Sequence, residues 1–306
     1  MDRAHFIEQL WKAFALLPAL LLGLNAPIQA SAMPIPFDYS DYAAALTEYV
    51  DDRGLVKYKE LKANRQGLDK FAASLARLDP RVYDPWNEKE KIAFWINAYN
   101  ALTLVAIIDH YPIRASFVGW FRFPKNSIRQ IPGVWDKLQY AVMGRKFTLD
   151  GIEHEILRAT FNEPRIHMAL VCAALGCPNL RNEPYTGDRL DDQLDDQTSR
   201  FVKNPRKFRI DREKRRVYLS PIFKWFGEDF AKTYGAEKRF RSFSETERAV
   251  LNFLSGYVDR ANKEFLEAGN YAIDYLEYDW TLNEKELENR RQATTTTFPL
   301  FLGAAI

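Results

Sequence analysis

The sequence predicts a single mixed α/β (α+β) domain, rich in helix around a small sheet, and three observations carry that reading. Helical and strand periodicities alternate along the 306-residue chain with no internal repeat and no long linker. One segment, 87–111, is apolar on most of its sides, as a central helix must be. The content of 47% apolar and 14% aromatic residues can bury one large core or two modest ones.

Residues 1–32 read as a secretory signal rather than as fold. Arg3 and Lys12 precede an apolar run, Ala13 to Leu24, and the small residues Ala30, Ser31 and Ala32 follow. The run is shorter than the roughly 20 residues that a permanent membrane helix needs. The expectation is therefore an exported chain, periplasmic or secreted, with no stable membrane insertion after cleavage; an uncleaved N-terminal anchor is the rival. Removing the segment takes two basic and two acidic side chains and leaves the net charge at +2. Such a balance argues against nucleic-acid binding, and the cluster Arg212 to Arg216 reads as a solvated turn.

Residues 33–284 form the expected domain. Tyr39 to Arg77 should make two or three short helices, broken at Asp51, Asp52 and Gly54 and again at Asn64 to Gly67. The main helix runs from about Asn87 to Tyr111 and stops at Pro112. Ile92, Trp95, Ile96, Tyr99, Thr103, Ala106, Ile107 and His110 lie on one broad stripe. Asn97 and Asn100 share a neighbouring face and need partners, since an unpaired buried polar group costs about 1–3 kcal/mol. Ser116 to Val134, with Trp120, Phe121 and Phe123, should wrap the body or rim a pocket. A strand pair from Gln139 to Phe147 should turn at Gly144, and Thr148 or Asp150 should cap a helix reaching about Thr160. Arg165 to Cys172 alternates like a strand. Beyond it are expected a helix Leu190 to Lys203, a hairpin with arms Lys207 to Asp211 and Arg216 to Leu219, helices Ile222 to Thr233 and Glu245 to Arg260, and a strand Ala272 to Asp279. Residues 285–306 read as a disordered tail.

Chemistry concentrates between Glu153 and Cys177, where both cysteines and two of the four histidines gather. On a helical wheel Glu153 falls between Ile156 and Leu157, so a carboxylate aims inward; such a group is either ion-paired, with Arg158 or Arg165, or functional. His154 and Arg158 share the boundary face. Three schemes compete for Cys172 and Cys177. One is a thiolate activated by His154 or His167, the imidazole oriented by Glu153 or an asparagine. The second is a Cys172–Cys177 disulfide, favoured by an oxidising compartment, in a non-catalytic binding or scaffold protein. The third, a metal site of His167 with both cysteines, matches no standard zinc spacing. No metal and no cofactor is expected.

Beyond these residues the chain resembles the domain-of-unknown-function family 547. The resemblance rests on FWINAYNA at Phe94–Ala101, LDGIEHEILR at Leu149–Arg158, RIHMALVCAALGCPNLR at Arg165–Arg181, SPIFKWFGEDF at Ser220–Phe230 and YDWTLN at Tyr278–Asn283, and spans roughly residues 38–284. It implies a papain-like or transglutaminase-like fold and a cysteine-type hydrolase or acyl-transfer activity on amide bonds of small thiol peptides such as glutathione. Its pattern marks Asn97, Tyr99, Asn100, Glu153, His154, His167, Cys172, Cys177 and Pro178. In those roles Cys172 or Cys177 attacks, His154 or His167 takes the proton, Glu153 orients the imidazole, and Asn97, Asn100, Tyr99 or Arg158 supplies an oxyanion donor or a supporting hydrogen bond. Plant-like members with serine at the second position favour Cys172 as nucleophile. The exposure expected of a G-C-P turn favours Cys177.

Overall fold

Helix α5 (Glu88–His110) is the axis of the domain. The Asn87 side chain accepts from the Glu90 amide while Glu90 accepts from that of Asn87, which fixes its start. All side chains from Ile92 to Ile108 are buried. Length and composition would let α5 cross a bilayer, but 94% of its apolar window is buried inside the protein. The computed structural model describes residues 36–114, 122–286 and 289. The expected signal at 1–32, Trp120 and Phe121, and residues 287–288 and 290–306 of the expected tail lie outside the described residues.

Helices α2 (Tyr58–Ala63) and α3 (Gln66–Arg77) pack against α5, α1 (Ser40–Tyr49) packs on α2 and α3, and the one-turn α4 (Pro80–Tyr83) precedes α5. The strands β1 (Tyr140–Val142) and β2 (Arg145–Phe147) form an antiparallel hairpin against α3. Its turn is made by Met143 and Gly144, both at positive φ. A second sheet has the order β3-β4-β5, with β3 (Phe208–Asp211) antiparallel to β4 (Arg216–Leu219) and β5 (Ala272–Tyr275) parallel to it. This is the mixed, helix-rich α/β domain that the sequence predicts.

Several elements depart from expectation for local reasons. The helix after Asp150 begins as a wide π-type turn, Gly151–Leu157, and closes as α6 (Arg158–Thr160). The expected strand Arg165 to Cys172 is instead a 3₁₀ helix, Pro164–Met168, capped by the Glu163 carboxylate on the Arg165 amide. Its alternation carried no sidedness, because Ile166, His167, Met168 and Ala169 are all buried. After α7 (Leu190–Lys203), the expected helix Ile222 to Thr233 breaks at Phe226 into α8 (Pro221–Trp225) and α9 (Gly227–Tyr234). The expected helix to Arg260 ends early as α10 (Glu245–Leu254); Asp259 then caps a separate α11 (Arg260–Glu267).

Apolar side chains gather in two clusters. One surrounds α5 and includes α1 to α3, Ile166, Ala169 and Val171. The other joins the second sheet to α8, α9 and α10 and includes Met168. Tyr278 packs against both.

Candidate active site

The segment Pro164–Cys177 runs along the boundary of the two clusters. Asn100 holds it from α5: its Nδ2 donates to the Ala169 carbonyl at 3.0 Å, and its Oδ1 accepts from the Val171 amide at 2.9 Å. Asn97 treats Tyr185 in the same way, at 2.7 and 2.9 Å. Both amides serve backbone, which is the supporting role rather than that of an oxyanion donor.

Cys172 and Cys177 are joined by a disulfide. In this state neither sulfur is a thiol, and the free nucleophile expected from sequence is absent from the described structure. The loop between them is clamped by the C-terminal YDWTLN stretch: the Leu175 and Gly176 amides donate to the Thr281 and Asp279 carbonyls at 2.8 and 2.7 Å, and the Asn283 amide to Ala173 at 3.1 Å. Ala173 sits at φ 54°, a backbone state that costs a non-glycine residue about 1 kcal/mol or more. Gly176 permits the closest approach, since a Cβ there would lie 2.7 Å from the Tyr278 ring. The Tyr278 hydroxyl lies 3.2 Å from Cys172 Sγ and 3.1 Å from Cys177 Sγ. Cys177 Sγ also accepts the Cys172 amide at 3.0 Å. Cys177 is only 2% exposed, so its G-C-P turn is buried and Cys172 is the more open sulfur. Beneath the loop, the buried Lys207 ammonium donates to the Leu175 and Cys177 carbonyls. Burial, helped by Arg206 and opposed by Asp279, pulls its pKa down to about 7.

Acid–base groups face the disulfide loop from the other side. His167 Nε2 donates to Asp229 Oδ2 at 2.9 Å, and its ring stacks on Phe226 with centroids 4.0 Å apart. Burial lowers the His167 pKa, with Asp229 opposing, so the imidazole is neutral and Nδ1 carries the lone pair. Burial works against the Asp229 anion, yet His167, Arg158 and Lys232 together hold it far below the usual carboxylate range. Arg158 reaches the same carboxylate at 2.5 Å and His154 Nδ1 at 2.8 Å. His154 itself is exposed and 3.9 Å from Asp150. Glu153 is 8% exposed and pairs with neither Arg158 nor Arg165; its partner is the Tyr99 hydroxyl. Arg165 instead binds Glu163, Asp191 and Asp195. Burial raises the Glu153 pKa to about 7 against the pull of Tyr99 and Arg158.

These groups meet in one cleft of about 270 Å³, lined by Tyr99, Glu153, His154, His167, both cysteines and Pro178, with Trp135, Trp225, Phe226, Tyr278 and Trp280 as an aromatic wall. Of the residues marked from sequence, Asn97, Asn100 and Arg158 stay outside the lining. Sequence reasoning missed Asp229, which takes the place expected of Glu153 beside the imidazole, and Tyr278, which touches both sulfurs. Both lie in motifs quoted above, and Asp229 stands out there as an acid set among aromatic residues. Among the described residues no group of three or more His, Cys, Asp or Glu is placed to hold a metal ion.

Comparison with known proteins then locates the segment. Residues 83–202 match the DUF547 family model. DUF547 is described as a protein of unknown function. The match begins before α5 and ends within α7, so it takes in Asn97 to Cys177 and stops short of Asp229, Trp225 and Tyr278. The cleft is therefore built from the DUF547 segment together with the chain that follows it. Neither a curated protein nor a solved structure matches.

Proposed function

We propose that the cleft is the active site of a cysteine-type hydrolase or acyl-transfer enzyme acting on amide bonds of small thiol peptides such as glutathione, with the Cys172–Cys177 disulfide as its resting form. The observation that carries this reading is that the disulfide and His167 line one cleft, with the imidazole held from behind by the buried Asp229. An external dithiol would open the disulfide, taking up its oxidation. Cys172, the more open sulfur, then gives its proton to His167 Nδ1 and attacks the carbonyl carbon. The C–N bond breaks as the departing amine takes the proton from the imidazolium that Asp229 stabilises. Water hydrolyses the thioester with His167 again as base. Glu153, half-ionised near neutral pH, is the second proton-exchanging group.

A second reading, a non-catalytic binding or scaffold protein, is favoured by the disulfide itself and by the hydrogen bonding of the sulfurs, whose partners are Tyr278 and the Cys172 amide rather than an imidazole. The two readings part on amine release from glutathione and related peptides. Turnover by the reduced protein, absent from the oxidised protein and from Cys172→Ser and retained in Cys177→Ser, supports the enzyme. Full reduction with both thiols alkylated by iodoacetamide, and no turnover, supports the scaffold.

The reading also takes the chain to be exported, on the charged, apolar and small-residue succession of residues 1–32. Mature protein beginning at Ser31 or Met33 supports this, and Met1 retained in a membrane fraction contradicts it.

A further inference from the structure

Arg129 stands at the wall of the cleft, and its surroundings are unusual for a guanidinium. Its Cζ lies 4.4 Å from the Phe123 ring centroid, 5.0 Å from that of Trp280 and 5.3 Å from that of Trp135. Three rings thus attract the planar group by cation–π contact, and among the described residues its N–H edge has no hydrogen-bond partner. Three other arginines behave differently: Arg165 binds three carboxylates, Arg158 binds Asp229, and Arg181 binds Glu183 and Asp196. Among the described residues no carboxylate pairs with the Arg129 side chain. Burial lowers its pKa and Arg122 adds to this; no acid acts on it in the opposite sense. The cleft's own acids, Asp150 and Glu153, engage His154 and Tyr99 instead.

A guanidinium set among three rings at the rim of a cleft, open to solvent on one side and with no anion among the described residues, is placed to receive one, because its fork matches a carboxylate with two parallel hydrogen bonds. We infer that Arg129 is a carboxylate-binding subsite of the cleft and selects ligands that carry a free carboxylate. The body of the ligand then lies along Trp135, Trp280 and Tyr278 toward the sulfurs. This rests on the proposed function only in taking the cleft as the place where the peptide binds, and it names the group by which the peptide is chosen.

The test uses the full chain with its disulfide intact and ligands that cannot react, so it can succeed where catalysis fails. N-acetyl-S-methylcysteinylglycine and its C-terminal amide are titrated separately, with tryptophan fluorescence as the readout. The free acid is expected to bind at least tenfold tighter than the amide. Arg129→Met should remove that preference while leaving the amide's affinity unchanged, and Arg129→Lys should restore it in part. Circular dichroism and the urea midpoint of each variant show that it is folded. Equal affinity for acid and amide, an unchanged preference in Arg129→Met, or no binding of either peptide at millimolar concentration would overturn the subsite. Binding with the expected preference but no amide hydrolysis in the reduced protein would retain the subsite and remove the enzymatic reading.

Discussion

The two apolar clusters contribute differently to the cleft. The cluster around α5 holds its share by backbone: Asn97 and Asn100 are buried amides whose hydrogen bonds go to the chain at Tyr185, Ala169 and Val171. The cluster around α8 to α10 contributes side chains, with Phe226 beneath His167 and Asp229 at its Nε2. Asp229 lies in the first turn of α9, where the helix N-terminus favours an anion. One side thus places the loop and the other tunes the chemistry. The cleft needs both, and Tyr278, packed on both clusters, closes it over the disulfide.

If α5 places the loop, Asn100→Ala should have the largest effect on stability. It leaves the Val171 amide and the Ala169 carbonyl without their buried partner, at about 2–4 kcal/mol in urea unfolding; a loss under about 1 kcal/mol would show that the loop is held by other means. Glu153 tests the chemical cost of the same side. Its carboxyl titrates at 4.5 unperturbed and at about 7 when folded. The folded chain therefore holds the extra proton between those values, and stability falls as pH rises through that window, by up to about 3 kcal/mol. Glu153→Gln should flatten this dependence, and an unchanged slope would place its cause elsewhere.

Reduction of the disulfide comes next. Its loop is short, with a sequence separation of 5, so opening it should cost about 2 kcal/mol. The clamps from Lys207 and the Asp279 to Asn283 stretch should keep the domain folded, which circular dichroism under reducing conditions would show; unfolding on reduction would make the disulfide the main support of the loop. The smallest effect is expected at Trp225, 48% exposed on the second cluster's side. Trp225→Ala should change stability by no more than about 0.5 kcal/mol while weakening ligand binding, and the reverse would remove it from the ligand wall.

Much of the α5 side was legible in sequence because its signals are local. The start near Asn87, the stop at Pro112, and two asparagines inside an apolar helix each carry a physical meaning where they stand. The inward aim of Glu153 was equally readable from its wheel. The other side was not, because its partners are distant in the chain: His167 meets Asp229 across 62 positions and Cys172 meets Tyr278 across 106. The segment after Pro164 was misread for a related reason. Its alternation resembles a strand, but both of its faces are buried, one against each cluster, and a cap at Glu163 with Pro164 sets a 3₁₀ turn. Likewise, an inward carboxylate near a histidine looked like its orienting partner until the fold brought Asp229 closer.

The dependence of one side on the other is tested most directly by the alkylation rate of Cys172 in the reduced protein, followed at pH 6.5 by mass spectrometry of the labelled peptide in wild type and in Asp229→Asn. If the His167–Asp229 pair serves the sulfur, wild-type Cys172 should react at least tenfold faster than the same thiol in the variant, while Cys177 labels slowly in both. Equal Cys172 rates in two folded proteins would contradict the account and leave the pair as packing.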